Sequence, residues 1–141
     1  MDFWVGVWDV RWEDTPDFGI AAGNGINRIT RELNDCVIRE QFEGGPSTDG
    51  LVGHSVSMYH AAIRRWRQTW VDNQGSYFAL VGGLEDARFV LTNARFGDQG
   101  PLWRMVYEDI TPESLTWRWQ RSADGEAWTD TWVIRYRRKA P

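Results

Sequence analysis

The sequence predicts an all-β protein, folded as an up-and-down antiparallel barrel of about ten strands. Three observations predict it. Short segments of alternating apolar and polar residues follow one another, turn signals separate them at near-regular spacing, and nothing longer than a turn or two carries the periodicity of an amphipathic helix. Closing such a meander removes the exposed edges that an open sheet would leave.

Residues 5–13 alternate Trp8, Val10 and Trp12 against Asp9, Arg11 and Glu13, giving a strand with one apolar face. Residues 20–33 read as a glycine-interrupted strand that bends at Gly23 or Gly25. The third strand, 36–42, ends at Gly44-Gly45-Pro46, followed by Ser, Thr, Asp and Gly, which is a loop signal. Further strands are expected at 52–59, 66–71, 77–81, 89–94, 103–108, 115–121 and 132–138. Their separators are Asp72-Asn73-Gln74-Gly75, Gly82-Gly83, Gly97-Asp98-Gln99-Gly100-Pro101, Thr111-Pro112-Glu113 and Asp124-Gly125, chemistry that suits sequential hairpins.

A chain of 141 residues suits one domain with a single core. Its hydrophobic content of 42% and charged content of 26% are ordinary for a globular protein. No apolar run approaches bilayer length, and the opening Met1-Asp2-Phe3-Trp4 lacks the basic and apolar regions of a signal peptide, so a cytoplasmic protein with no membrane partner is expected. The net charge of −4 argues against nucleic acid as a partner. The basic clusters Arg64, Arg65, Arg67 and Arg135, Arg137, Arg138, Lys139 read as solvated faces. The lone Cys36 excludes an internal disulfide and a cysteine-based zinc site, and reads as a small buried residue. The oligomeric state stays open, a homodimer included.

Ten residues are tryptophan. Trp66 and Trp70 flank Gln68 on one strand face, Trp117 and Trp119 share another, and Trp128 and Trp132 share a third, so a curved sheet would gather indoles in its interior. A packed core is more simply made from Leu and Ile, because indole carries an N–H that wants a partner. A Trp-lined ligand cavity and an unusually aromatic core both fit. On the same period, Trp103, Met105 and Tyr107 project inward together, with Arg104 on the opposite, solvated face. If Ile38 and Phe42 point inward, so do Cys36 and Glu40, which leaves a carboxylate among apolar neighbours. Such a group is expected to pair with an arginine, or else to have a raised pKa and serve as a general acid or base or as a ligand anchor. The strand at 52–59 offers Val52, His54, Val56 and Met58, with His60 following, against Gly53, Ser55, Ser57 and Tyr59; the first, more apolar face is taken as inward, which brings His54 and Met58 to the cavity.

Gly6-Val7-Trp8 resembles the Gly-X-Trp signature of lipocalin and calycin barrels. That resemblance implies a Trp8 packed across the closed end against an arginine of the last strand, Arg135 or Arg137. A longer match is to a bacterial family of unknown function, the DUF1579-like calycin proteins. It comprises Phe3-Trp4-Val5-Gly6-Val7-Trp8-Asp9-Val10, then Trp66-Arg67-Gln68-Thr69-Trp70-Val71-Asp72 with Gly75, and Trp117-Arg118-Trp119 leading into Ser122-Ala123-Asp124-Gly125-Glu126-Ala127-Trp128. This resemblance implies a lipocalin-like (calycin) barrel and leaves function open. Haem-binding nitrobindins share the barrel type, but their Gly-X-Trp-X-Gly-X-Gly opening is absent here and no histidine follows His60. The reading therefore includes no haem and no other cofactor.

No Ser-His-Asp order, phosphate loop or dinucleotide fingerprint is legible, and two histidines with scattered carboxylates make no metal set. The function expected is binding of a small, mainly apolar or aromatic molecule by Trp66, Gln68, Trp70, Met58, Trp103, Met105, Trp117, Trp119 and Trp132. The alternative is a cofactor-independent cyclase, isomerase, hydratase or lyase in which Glu40, His54 or Tyr107 transfers a proton.

Overall fold

The computed structural model describes residues 1–93 and 101–141. Ten strands pair in chain order, each antiparallel to the next, and the last closes on the first. They are β1 (Gly6–Trp12), β2 (Gly23–Glu32), β3 (Val37–Glu43), β4 (Val52–His60), β5 (Arg65–Asp72), β6 (Tyr77–Glu85), β7 (Arg88–Asn93), β8 (Leu102–Glu108), β9 (Ser114–Ser122) and β10 (Thr129–Arg138). This is an up-and-down, lipocalin-like barrel. Three short 3₁₀ turns, Asp2–Trp4, Pro16–Phe18 and Pro46–Thr48, supply the helical residues described, and no helix is long and apolar enough to cross a membrane.

Alternation sorts the side chains as the period of two requires. Trp8, Val10 and Trp12 of β1 are buried while Asp9 and Arg11 are exposed, and Ile38, Glu40 and Phe42 of β3 are buried together. One end of the barrel is plugged. The Asp2–Trp4 turn folds under it, Trp8 donates its indole N–H to the Trp4 carbonyl at 2.7 Å, and the Arg138 guanidinium lies 4.2 Å from the centre of the Trp8 ring. The guanidinium also donates to the carbonyls of Val5 and Pro112, at 2.9 and 2.7 Å. Gly6 has a φ of 140°, and a Cβ there would collide with that guanidinium. The partner of Trp8 is thus Arg138 and not Arg135 or Arg137, which are exposed. Ile134, Tyr136 and Arg138 share the inward parity of β10, and Arg135 and Arg137 have the other.

Two further expectations are corrected. Gly82-Gly83 does not end a strand: β6 runs on to Glu85, and the turn falls at Asp86, whose φ is 54°. Gly82 instead lets the backbone pass against the Val90 carbonyl, where a Cβ would collide. Cys36 is exposed, because it closes the turn before β3 in which Leu33, Asn34 and Asp35 all have positive φ. The expected end of the seventh strand at Ala94 and the turn signal Gly97-Asp98-Gln99-Gly100 lie outside the described residues.

Candidate functional site

At the end opposite the Trp8 plug, a cavity of about 250 Å³ enters the barrel. Its walls are aromatic: Trp70 from β5, Phe78 from β6, Trp117 and Trp119 from β9, and Trp132 from β10, with Phe42 of β3 beside them. The rings brace one another. Trp117 and Trp119 stack at 6.2 Å with 2° between their planes, while Trp132 meets Trp117 edge to face at 6.1 Å. Phe42 stands edge-on to Trp70 and Trp132, and Phe78 to Trp119 at 5.1 Å. Asp72 at the end of β5, with Leu51, Gln74 and Ser76 from the loops at that end, forms the mouth.

Asp72 organises the mouth. It accepts the Trp70 indole N–H at 2.9 Å and the backbone N–H groups of Gln74 and Ser76 at 2.9 and 3.1 Å. Partial burial would raise its pKa, but those hydrogen bonds outweigh burial and hold the carboxyl below the usual carboxylate range. The Trp70 ring is thereby fixed against the wall.

The deep part of the cavity is polar. Glu40, Met105, Tyr107, Ile134 and Tyr136 line it. β3 pairs Glu40 with Ile29 on one side and Ser55 on the other, so the carboxylate projects inward between two strands that supply its partners. It accepts the Ser55 hydroxyl at 2.5 Å and the Asn27 amide at 2.7 Å, and the same amide nitrogen lies 2.9 Å from the Tyr136 hydroxyl, to which it also donates. No cation pairs with Glu40 among the described residues, so the expected arginine partner is absent. Burial accordingly pushes its pKa up to about 7, against the hydrogen bonds from Ser55 and Asn27. Burial, with the nearby Glu40 charge, also pushes both tyrosines up, Tyr107 well above the usual phenol value. Tyr107 and Tyr136 are therefore protonated donors at any physiological pH.

Most of the residues singled out in the sequence meet here. Glu40, Trp70, Met105, Tyr107, Trp117, Trp119 and Trp132 line the cavity. Gln68 is buried just beneath it, donating to Ser57 at 2.9 Å and lying beside Tyr107. Trp103 stands behind the wall, stacked on Trp119 at 5.5 Å. Arg104 takes the outer face, as expected, bonded to Gln120 at 2.7 Å and lying 4.1 Å from the Trp128 ring centre. Trp132 departs from simple alternation with Trp128 because a bulge between Asp130 and Trp132 shifts the register of β10.

His54, Met58 and Trp66 do not reach the cavity. β4 turns Gly53, Ser55 and Ser57 inward and leaves His54 exposed and Met58 44% exposed. The reason is volume: the Trp70 ring lies over Gly53, where a Cβ would strike it, and Glu40 and Gln68 bond the inward hydroxyls of Ser55 and Ser57. Large rings on β5 require small residues on β4. Trp66 has the right face but the wrong depth, since four residues along a strand is about 13 Å. It packs on Tyr59 and Phe89 and lines a separate recess of about 580 Å³ near the plugged end, with Phe3, Arg65 and Glu85. The charged side chains that line that recess, Arg64, Arg65 and Glu85, are exposed. Asn27 and Tyr136 were not singled out, although Asn27 shares the inward parity of Ile29, and Tyr136 that of Ile134.

The fold and the site together define a lipocalin-like barrel, plugged at one end, with an aromatic-walled cavity open at the other. No family model matches the chain, and no curated protein sequence does either. No cluster of His, Cys, Asp and Glu suited to a metal ion occurs among the described residues.

Proposed function

We propose that this protein binds a small, mainly aromatic molecule in the cavity above Glu40. The observation that carries the reading is the cavity itself: six Trp and Phe side chains frame it instead of filling it, and its volume of about 250 Å³ is that of about eight water molecules at ~30 Å³ each. One or two fused rings fit such a space. Apolar walls with a few convergent polar groups are the usual form of a ligand site. Kinship with the DUF1579-like calycins belongs to the same proposal, supported by the Trp66 to Asp72 segment that supplies Trp70, Asp72 and the buried Gln68. Titration with naphthalene-sized probes, read by intrinsic tryptophan fluorescence, tests it. Saturable quenching that is lost in Trp119→Ala supports the reading, and unchanged emission up to the solubility limit of the probes refutes it.

One observation favours a second reading, a cofactor-independent cyclase, isomerase, hydratase or lyase. Glu40 has no cation partner among the described residues and a pKa of about 7, which suits a proton donor and acceptor at neutral pH. Tyr107 would then hold a developing negative charge by donating its O–H. Under this reading Glu40→Gln keeps ligand affinity and loses turnover, because an amide cannot relay the proton.

A further inference from the structure

We propose that the cavity selects an organic monocation, a small aromatic amine whose ammonium sits on Glu40 while its ring lies between the indole walls. The inference rests on the ligand-binding reading above and adds charge to it. Counting the lining residues by charge gives an asymmetry: Glu40 at the bottom and Asp72 at the mouth are acidic, and among the described residues no Lys, Arg or His lines the cavity. The carboxylate is 6% exposed and held by two neutral donors, Ser55 and Asn27, so its charge is solvated by hydrogen bonds and no cation among the described residues neutralises it. The groups facing it from strands across the barrel, Tyr107 of β8 and Tyr136 of β10, are protonated phenols.

The walls carry the same sign. The faces of Trp and Phe rings are the negative ends of their quadrupoles, and an ammonium within about 6 Å of a ring centre is attracted most strongly where water is excluded. A neutral ligand would leave the buried carboxylate uncompensated, and an anion would meet it at close range in a poorly solvated space. Only a cation satisfies Glu40 and the rings together.

Because the ammonium needs an ionised Glu40, affinity should rise with pH. At pH 5.5 the carboxyl is mostly protonated, whereas at pH 8 it is mostly ionised. The amine itself stays protonated throughout, so the carboxyl sets the dependence.

Isothermal titration calorimetry with three phenyl probes of matched size tests the charge: phenethylamine, 2-phenylethanol and 3-phenylpropanoate. At pH 8 we expect phenethylamine to bind about tenfold or more tighter than the alcohol, and the carboxylate not to bind. Lowering the pH to 5.5 should weaken the amine about tenfold and leave the alcohol no weaker, because protonation removes the uncompensated charge. In Glu40→Gln the amine and alcohol should come within about twofold of each other at both pH values. Equal affinity for amine and alcohol would overturn the charge assignment and leave the cavity as a neutral aromatic site, tighter binding of the carboxylate would reverse its sign, and an amine preference that survives Glu40→Gln would overturn the assignment of that charge to Glu40. Failure of all three probes would overturn the binding reading as well. The pH series needs only the unaltered protein, so the test does not depend on how the variant folds.

Discussion

Replacing Glu40 by Gln should make the barrel more stable at neutral pH. The carboxyl has an ordinary value of 4.5 and is held near 7 by burial. A folded state whose acid has a raised pKa binds more protons than the unfolded chain in the interval between those values, so stability falls as pH rises through it. Below pH 4.5 the group is neutral in both states and contributes no such loss. Across the interval, at ~1.4 kcal/mol per pH unit, the loss reaches about 3 kcal/mol and then levels off above the folded value. Glutamine has the same shape and no charge to desolvate, and its oxygen accepts from Asn27 while its amide donates to Ser55.

The difference between the variant and the unaltered protein isolates this one group, since every other titration cancels. Thermal unfolding followed by near-ultraviolet circular dichroism at half-unit steps from pH 4 to 9 is the assay. The two melting temperatures should agree within a few degrees at pH 4.5 and separate to about 10 °C by pH 8, the variant higher, at roughly 3–4 °C per kcal/mol for a chain of this length. A variant less stable at every pH would show that Glu40 is paired with a cation. A difference that does not change with pH would show that the carboxyl titrates normally and faces solvent.

Five other substitutions probe the architecture. Gly53→Val places a branched side chain against the Trp70 ring, so a loss of about 1–3 kcal/mol is expected together with weaker binding of any aromatic probe; denaturant unfolding and fluorescence titration check both. Trp8→Ala removes the buried plug and should cost about 3–5 kcal/mol by denaturant unfolding. Arg138→Ala should cost less, about 1–2 kcal/mol by the same measurement, because it removes an indole contact and two carbonyl hydrogen bonds at the barrel edge. His54→Ala and Met58→Ala, on the outer face of β4, should each change stability by less than about 0.5 kcal/mol and leave ligand affinity unaltered.

The barrel was legible because alternation is a local property of each strand. Glu40 was placed correctly for that reason: Ile38 and Phe42 fix its face without reference to any other strand. β4 failed because the choice between its faces depends on what β3 and β5 already put inside. Val52, Val56 and Met58 are the more apolar set, yet the inward set is Gly53, Ser55 and Ser57, sized and polarised to fit Trp70, Glu40 and Gln68. Complementarity across strands needs the register, and period alone does not supply it. Depth is hidden in the same way. Trp66 and Trp70 share a face, but only the pairing shows that one lies by the plug and the other by the mouth.

The interior polar groups set function against stability. The hydroxyls, amides and phenols around Glu40 could be met by a neutral glutamine of the same shape, and the fold would gain by it at neutral pH. An uncompensated carboxylate at the bottom of a solvent-open cavity therefore serves the barrel poorly as structure. Its position is where a ligand entering between Trp70, Trp119 and Trp132 would arrive, with Tyr107 and Tyr136 ready to donate from either side. A strained electrostatic environment of this kind is retained when binding or proton transfer needs it, and functional sites are where stability is most often forgone. If Glu40→Gln proves more stable but loses its preference for an ammonium over an alcohol, the two measurements together identify the carboxylate as the binding determinant. If it proves more stable and keeps that preference, the charge recognised by the cavity lies at Asp72, and the deep polar floor serves another purpose.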